Sequence, residues 1–331
     1  MATTPREAPG ARQGAPAARG KLSADSPLLG GPLAHDPRED VYELPQPPAP
    51  EREPGTDLRQ LRRLLPATEP SRAVDDWGRS ERIVSLMEPV LDFYYDYWFR
   101  VEVEGIENVP AEGGALLVSN HSGALPPDAP MIIWAIRREH PAPRPVYMLG
   151  EHWFKGYPGV GMLANKIGLV AAHPANAQRL LRDEGRLVLV FPEGQKGSRK
   201  LYWQRYRLRR FGRGGYVKTA LRSGVPIVPI AVIGAEEAMP IFAHVPLLQR
   251  LTGLIYFPVN HAFPHFGLAA AGMYLPAKFK IRFLSPISLD DYGPEDADDL
   301  QLVQSLSEHV RACIQREVDA LVAARKSVWF G

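Results

Sequence analysis

One cysteine, Cys313, stands in 331 residues, so an internal disulfide is excluded and a thiolate metal cluster lacks its ligands. Long apolar runs are missing as well. The most apolar stretch, 245–275, is broken by Arg250, Pro258, Asn260, His261, Pro264 and His265, short of the roughly 20 residues that span a bilayer. That stretch reads as a membrane-facing lobe or as a buried irregular connection. Aromatic residues are scarce at the start, where Tyr42 is the only one before Trp77. Thirteen of the 33 prolines fall in the first 75 residues, and such a stretch buries too little apolar surface to offset chain entropy. Residues 1–75 are therefore expected to be disordered, with at most a short amphipathic turn through Leu58, Leu61, Leu64 and Leu65. No apolar core follows a basic flank there, which excludes a secretory signal. A cytoplasmic place, peripheral on the inner face of a membrane, is the expectation. A net charge of one sign is absent too: 39 Lys+Arg against 37 Asp+Glu leave +2.

Residues 76–98 read as an aromatic amphipathic helix that docks on a membrane or on the core. Trp77, Ile83, Val84, Leu86, Met87, Val90 and Leu91 recur at helical spacing, with Glu81, Ser85, Glu88, Asp92 and Asp96 as a polar stripe. Six of the seven residues from Phe93 to Phe99 are aromatic, and Pro89 predicts a kink. From 99 to 331 strand-like and helix-like pieces alternate. Strands are predicted over 101–103, 115–119, 146–149, 168–172, 187–191, 227–233 and 279–283, several of them apolar throughout, as strands covered on both faces are. Helices are predicted over 128–139, 175–184 and 214–222, with Gly185 and Gly224 as stops. A last helix, 299–326, carries Leu300, Val303, Leu306, Val310, Ile314, Val318 and Leu321 on one face. This alternation predicts a single layered α/β domain.

Two constellations carry chemistry. In the first, His121 follows the apolar strand and Asp128 lies seven residues on, a base and a carboxylate able to orient it. A continuous helix would separate them by about 10.5 Å along its axis. Gly123 and the Pro126-Pro127 pair break that regularity and let the loop fold back. Asp128 equally suits a helix N-cap ahead of Pro130. In the second, Phe191-Pro192-Glu193-Gly194 holds a carboxylate at a turn, and Lys196, Arg199 and Lys200 follow at once. Ten Lys or Arg and no acid lie between Lys196 and Arg222, a charge run suited to phosphate or to solvent.

With the strand Gly224-Val225-Pro226-Ile227-Val228-Pro229-Ile230, these pieces in this order resemble the glycerolipid acyltransferase superfamily, typified by 1-acylglycerol-3-phosphate acyltransferase. The stretch from Val101 to Pro110 is similar to the lead-in those enzymes show, and the likeness covers about Phe99 to Pro286. It implies a glycerol-3-phosphate acyltransferase-like fold, a mixed central sheet flanked by helices. It also implies transfer of a fatty acyl group from acyl-CoA or acyl carrier protein to a lipid hydroxyl, with no cofactor beyond that donor and with a membrane surface as partner. His121 takes the position of the family's catalytic histidine and Asp128 that of its aspartate. Glu193, Gly194, Lys196, Ser198 and Arg199 fall on the acceptor-binding block. Six residues separate His121 from Asp128 where the family has four, and His173 stands where the family's second block ends in arginine. Those departures, with the stretch from Leu275 to Phe283, look more like the branch that includes diacylglycerol and phytyl ester acyltransferases.

Rival readings stay open. Ser122 as nucleophile lacks the Gly-x-Ser-x-Gly turn. A docking module would use the aromatic helix and the basic run without turnover. Tyr202, Trp203, Tyr206 and Phe211 interleave with that run as a single-strand binder's rings do, predicting only weak, salt-sensitive nucleic-acid binding. The spacings of His152, His173, His261 and His265 match no metal-ligand pattern.

Overall fold

Two uninterrupted apolar stretches lie side by side at the middle of the central sheet. The computed structural model describes residues 74–122, 127–150, 160–252, 258–261 and 273–331. The proline-rich segment 1–73, with the turn expected around Leu58, lies outside the described residues, as do His152, His265 and much of the 245–275 stretch. The strands are β1 (Glu102–Glu104), β2 (Ala115–Ser119), β3 (Val146–Gly150), β4 (Leu169–Ala171), β5 (Leu187–Val190), β6 (Ile227–Ile233), β7 (Ala243–His244), β8 (Pro258–Val259) and β9 (Lys280–Phe283). The helices are α1 (Glu81–Asp92), α2 (Asp128–Glu139), α3 (Val160–Lys166), α4 (Pro174–Gln178), α5 (Gln195–Ser198), α6 (Gly215–Ser223), α7 (Ala235–Ala238), α8 (Pro246–Thr252) and α9 (Leu300–Ala324).

Seven strands pair in the order β1-β9-β6-β2-β5-β3-β4, while β7 and β8 form a separate antiparallel pair. From β6 to β4 all neighbours are parallel. β9 runs antiparallel to β6, and β1 follows β9, so the sheet is mixed. Both faces are covered. Leu117, Leu189 and Ile230 pack on one side with Ile132 and Ile136 of α2 and Val84 of α1. Leu116, Val118 and Val188 point the other way, onto Val217 and Leu221 of α6 and Val310 and Ile314 of α9. A period of two along β2 thus feeds both layers. Pro229 is tolerated inside β6 because the β9 ladder begins only at Ile230, and its carbonyl still accepts from the Leu284 N–H at 2.9 Å.

Several expected elements shift. The segment 76–98 is not one helix: α1 begins at Glu81, and Phe93–Trp98 winds as a π-helix. Trp77 lies before it, its indole N–H donating to Glu184 at 3.0 Å. The acids of the polar stripe stay part-exposed but are engaged by α2. Arg137 meets Glu81 at 2.5 Å and Glu88 at 2.7 Å, and Arg138 meets Asp92 at 3.1 Å and Asp96 at 2.7 Å, so α1 docks on α2 through ion pairs. Tyr95 and Phe99 enter the core, while Leu86, Val90, Phe93 and Tyr97 form an exposed apolar stripe. The 175–184 helix begins at Pro174 behind a His173 cap, and its second half, Arg179–Asp183, is π-helical. Leu300, expected on the buried face of α9, occupies its first turn and is exposed.

Candidate functional site

Neighbouring parallel strands bring the two constellations together. β2 and β5 pair with Val118 opposite Val190, so three residues past each lie His121 and Glu193, at the same carboxyl edge of the sheet. The chain leaves β2 for α2 on one face, and leaves β5 through α5 to reach α6 on the other, so the two constellations sit at the ends of adjacent strands between the layers. Asn120 fixes the exit of β2: its side-chain amide donates to the Val232 carbonyl and accepts from the Val232 N–H, both at 2.9 Å.

His121 Nδ1 lies 3.0 Å from Asp128 Oδ2. The expected meeting of the two side chains is made, and Asp128 is the first residue of α2 behind Pro127, not its N-cap. Asp128 is fully buried, and the same Oδ2 accepts from the Ser122 N–H at 3.0 Å and the Ser122 hydroxyl at 3.1 Å, while Oδ1 accepts from the Ala129 N–H at 2.8 Å. A carboxylate facing Nδ1 places the ring proton there and leaves the lone pair on Nε2. The imidazole stacks on Phe191 with ring centroids 4.3 Å apart. Ser122 is itself buried, with its hydroxyl turned to the carboxylate rather than to the histidine, an orientation that serves no serine nucleophile.

Glu193 sits beneath this pair. Its Oε1 accepts from the His121 N–H at 3.0 Å and its Oε2 from the Arg209 N–H at 2.6 Å, and the Lys200 ammonium lies 3.5 Å away. Its side chain is turned inward, fully buried, although the motif was expected to meet substrate. Ser198 is also turned inward, donating to the Gln195 carbonyl at 3.3 Å. Gly194 takes φ +54° and ψ −147°, a turn open to glycine. Gly197 is needed for space: a Cβ there would lie 2.7 Å from Glu193 Cβ and 3.0 Å from His121 Cβ.

The cation run divides. Lys196, Arg207, Arg209, Arg210 and Arg213 are exposed, and Arg199 is half-buried with its carbonyl accepting from His244 Nε2 at 2.9 Å. Arg205 and Arg222 meet Glu237 and Asp298. Lys200 does not join the surface at all: it lies 2.8 Å from Glu236 in the interior. Tyr206 and Phe211 are core residues and cannot stack on bases. Sequence reasoning missed Phe191, Gly197 and the Lys200–Glu236 pair. Gly197, four residues past the motif's glutamate, gave a faint signal, and the acid 36 positions beyond Lys200 gave none.

A family model described as Acyltransferase matches residues 100–233, a span that holds His121, Asp128, Glu193 and the whole of β6. An uncharacterized protein of Mycobacterium tuberculosis is 44% identical over 260 residues, 78% of this chain and 72% of that one. One of Mycobacterium leprae is 44% identical over 78% of this chain and 70% of its own length. A chicken (Gallus gallus) DGAT1/2-independent enzyme synthesizing storage lipids is 26% identical over 65% of this chain and 60% of its own. Among solved structures, the 1-acyl-sn-glycerophosphate acyltransferase PlsC of Thermotoga maritima aligns with a TM-score of 0.46 at 19% identity, over 74% of this chain and 83% of that one. With the acyltransferase span centred on a histidine and a carboxylate at one strand edge, and with relatives matched over most of their length, the chain belongs to the glycerolipid acyltransferase superfamily and is an acyltransferase.

Proposed function

We propose that this acyltransferase moves a fatty acyl group from an acyl thioester, acyl-CoA or acyl carrier protein, to the hydroxyl of a lysophospholipid or other glycerolipid, with His121 as general base. The observation that carries the reading is the 3.0 Å contact of His121 Nδ1 with the buried Asp128 carboxylate. Nε2 takes the proton from the acceptor hydroxyl as its oxygen attacks the thioester carbonyl. Asp128 holds the ring and stabilises the imidazolium that forms. The tetrahedral intermediate collapses with loss of the C–S bond, and the leaving thiolate receives the proton from Nε2. No nucleophile on the enzyme is needed. The Arg209 N–H bond to Glu193 fastens the exposed cations at 207–213 beside this site, and their charge suits the phosphates of coenzyme A or an acidic carrier protein. Glu193 acts from below, holding the histidine's backbone, while Gly194, Lys196 and Arg199 shape the turn that faces substrate.

A second reading gives the site a neutral acceptor, diacylglycerol or a long-chain alcohol. His173, at the family's arginine position, caps α4 by accepting the Ala175 N–H on Nδ1, and an imidazole so engaged is a poor substitute for a permanent cation. The storage-lipid enzyme of chicken points the same way. No helix among the described residues is long and apolar enough to cross a membrane. The exposed stripe of α1 supplies a peripheral contact with the inner face instead. The test is a radiolabelled acyl-CoA assay against lysophosphatidate, other lysophospholipids, diacylglycerol and long-chain alcohols, run beside His121→Ala. Turnover with one acceptor class, lost by about 10²-fold or more in the folded variant, is expected. A variant as active as the parent removes the mechanism.

A further inference from the structure

Lys200 is the one member of the cation run with a fully buried side chain, 1% exposed, and its ammonium is flanked by two buried carboxylates, Glu236 at 2.8 Å and Glu193 at 3.5 Å. Each of those carboxylates accepts a backbone N–H from the basic segment. Glu193 takes that of Arg209 together with that of His121, and Glu236 takes that of Tyr206, a residue held at φ +65°. Two acids around one cation leave the cluster with a net charge of −1, which is bearable in the interior only while the ammonium sits between them. Burial alone would lower the lysine's pKa, yet the charges of Glu236 and Glu193 outweigh it and hold the ammonium above its ordinary value. Burial lifts Glu236, with the lysine's charge drawing it back.

We propose that Lys200 is a positioning residue for the acyl transfer: by separating Glu193 from Glu236 it holds the Glu193 carboxylate in place under the His121 backbone, so that one buried ammonium sets both the base and the cationic segment. The inference rests on His121 being the base. Its chemistry is electrostatic rather than steric. Remove the ammonium, and two carboxylates face each other in a dry site. One of them takes up a proton or moves, and the N–H of His121 or of Arg209 loses its acceptor. Remove the Glu236 charge as well, and Glu193 becomes the single anion, which restores the net −1 that the parent carries.

The experiment is a kinetic double-mutant cycle on the full-length protein with Lys200→Met and Glu236→Gln, with His121→Ala alongside, each assayed well below its own measured melting temperature. Lys200→Met is expected to lower kcat by about 10²-fold, the usual consequence of a catalytic group displaced by an ångström. Adding Glu236→Gln to it returns about tenfold of that loss, a coupling normal for side chains in contact. A lysine that merely packs its stem gives losses that accumulate instead, because the second substitution restores no volume. Should Lys200→Met fail to fold, the charge-matched double variant is read alone: folding with kcat within about tenfold of the parent supports the proposal, and a dead but folded protein overturns it. Parental kcat in Lys200→Met while His121→Ala is inactive also overturns it and leaves the base intact. Parental activity in His121→Ala instead overturns the reading on which it rests.

Discussion

One oxygen of Asp128 carries three contacts, to the imidazole, to the Ser122 N–H and to the Ser122 hydroxyl, and only the first bears on proton transfer. Replacing Asp128 with asparagine keeps the volume but removes the charge that steadies the imidazolium. A loss of about 10²- to 10⁴-fold in kcat is expected from steady-state assays, with little change in KM. Ser122→Ala deletes one neutral donor and leaves the Nδ1 contact, so kcat should fall by no more than about tenfold. A serine nucleophile would lose everything in the same variant. Gly197→Ala tests the crowding beneath the ring. The added methyl meets Glu193 Cβ and His121 Cβ, neither of which ends a flexible chain, so about 1–3 kcal/mol of stability and a large part of kcat should go together, read by melting and assay on one sample. At this scale the sequence was readable where chemistry is local. A histidine at a strand end and a proline-bracketed glutamate announce themselves. Lys200 did not, because nothing in a run of cations says that one of them meets an acid 36 residues further on.

Elements were legible where periodicity decides them, and misread where a partner does. The stretches 115–119 and 227–233, apolar but for Ser119, are β2 and β6 to the residue, since a strand covered twice has no polar face to confuse its ends. The stripe of acids along α1 looks like a wet face by spacing alone, and only the arginines of α2 show that it is a docking face. Beside it α1 and the π-helix leave an apolar stripe outside, with Leu86 72% and Tyr97 74% exposed. The proposed peripheral contact would set this surface in the headgroup region of a bilayer. Leu86→Gln with Phe93→Ser should therefore weaken sedimentation with phosphatidylglycerol-containing vesicles by at least about tenfold, since each large apolar side chain contributes roughly 1.5 kcal/mol or more on leaving water. The melting temperature should not fall, because neither side chain is in the core. Unchanged vesicle binding would return the stripe to ordinary surface.

Across the whole molecule, ion pairs tie together parts that the apolar core does not. Glu102 on β1 meets Lys278 and Lys280 at 2.9 Å each, and Arg282 on β9 reaches Glu104 at 2.6 Å and Glu317 of α9 at 2.9 Å, closing the outer edge of the sheet onto the last helix. Hydrogen bonds from the two lysines hold the Glu102 carboxyl below the usual carboxylate range. Glu81 lies low as well: burial would raise it, but the bonds from Arg79 and Arg137 prevail. Glu308 is lowered first by its bond from Arg311. A carboxyl whose folded pKa is depressed contributes stability above its unfolded value and loses it as pH falls through the folded one. The melting temperature should therefore hold from neutral pH down to the ordinary carboxylate range and drop below it. These side chains are 54%, 49% and 60% exposed for Glu81, Glu102 and Glu308, so water screens them and the drop is modest. Raising salt to about 1 M, where the screening length is about 3 Å, should lower the plateau more than the acid end and flatten the curve. A calorimetric series at both ionic strengths reads this directly, and an acid drop untouched by salt would take the effect away from these surface pairs.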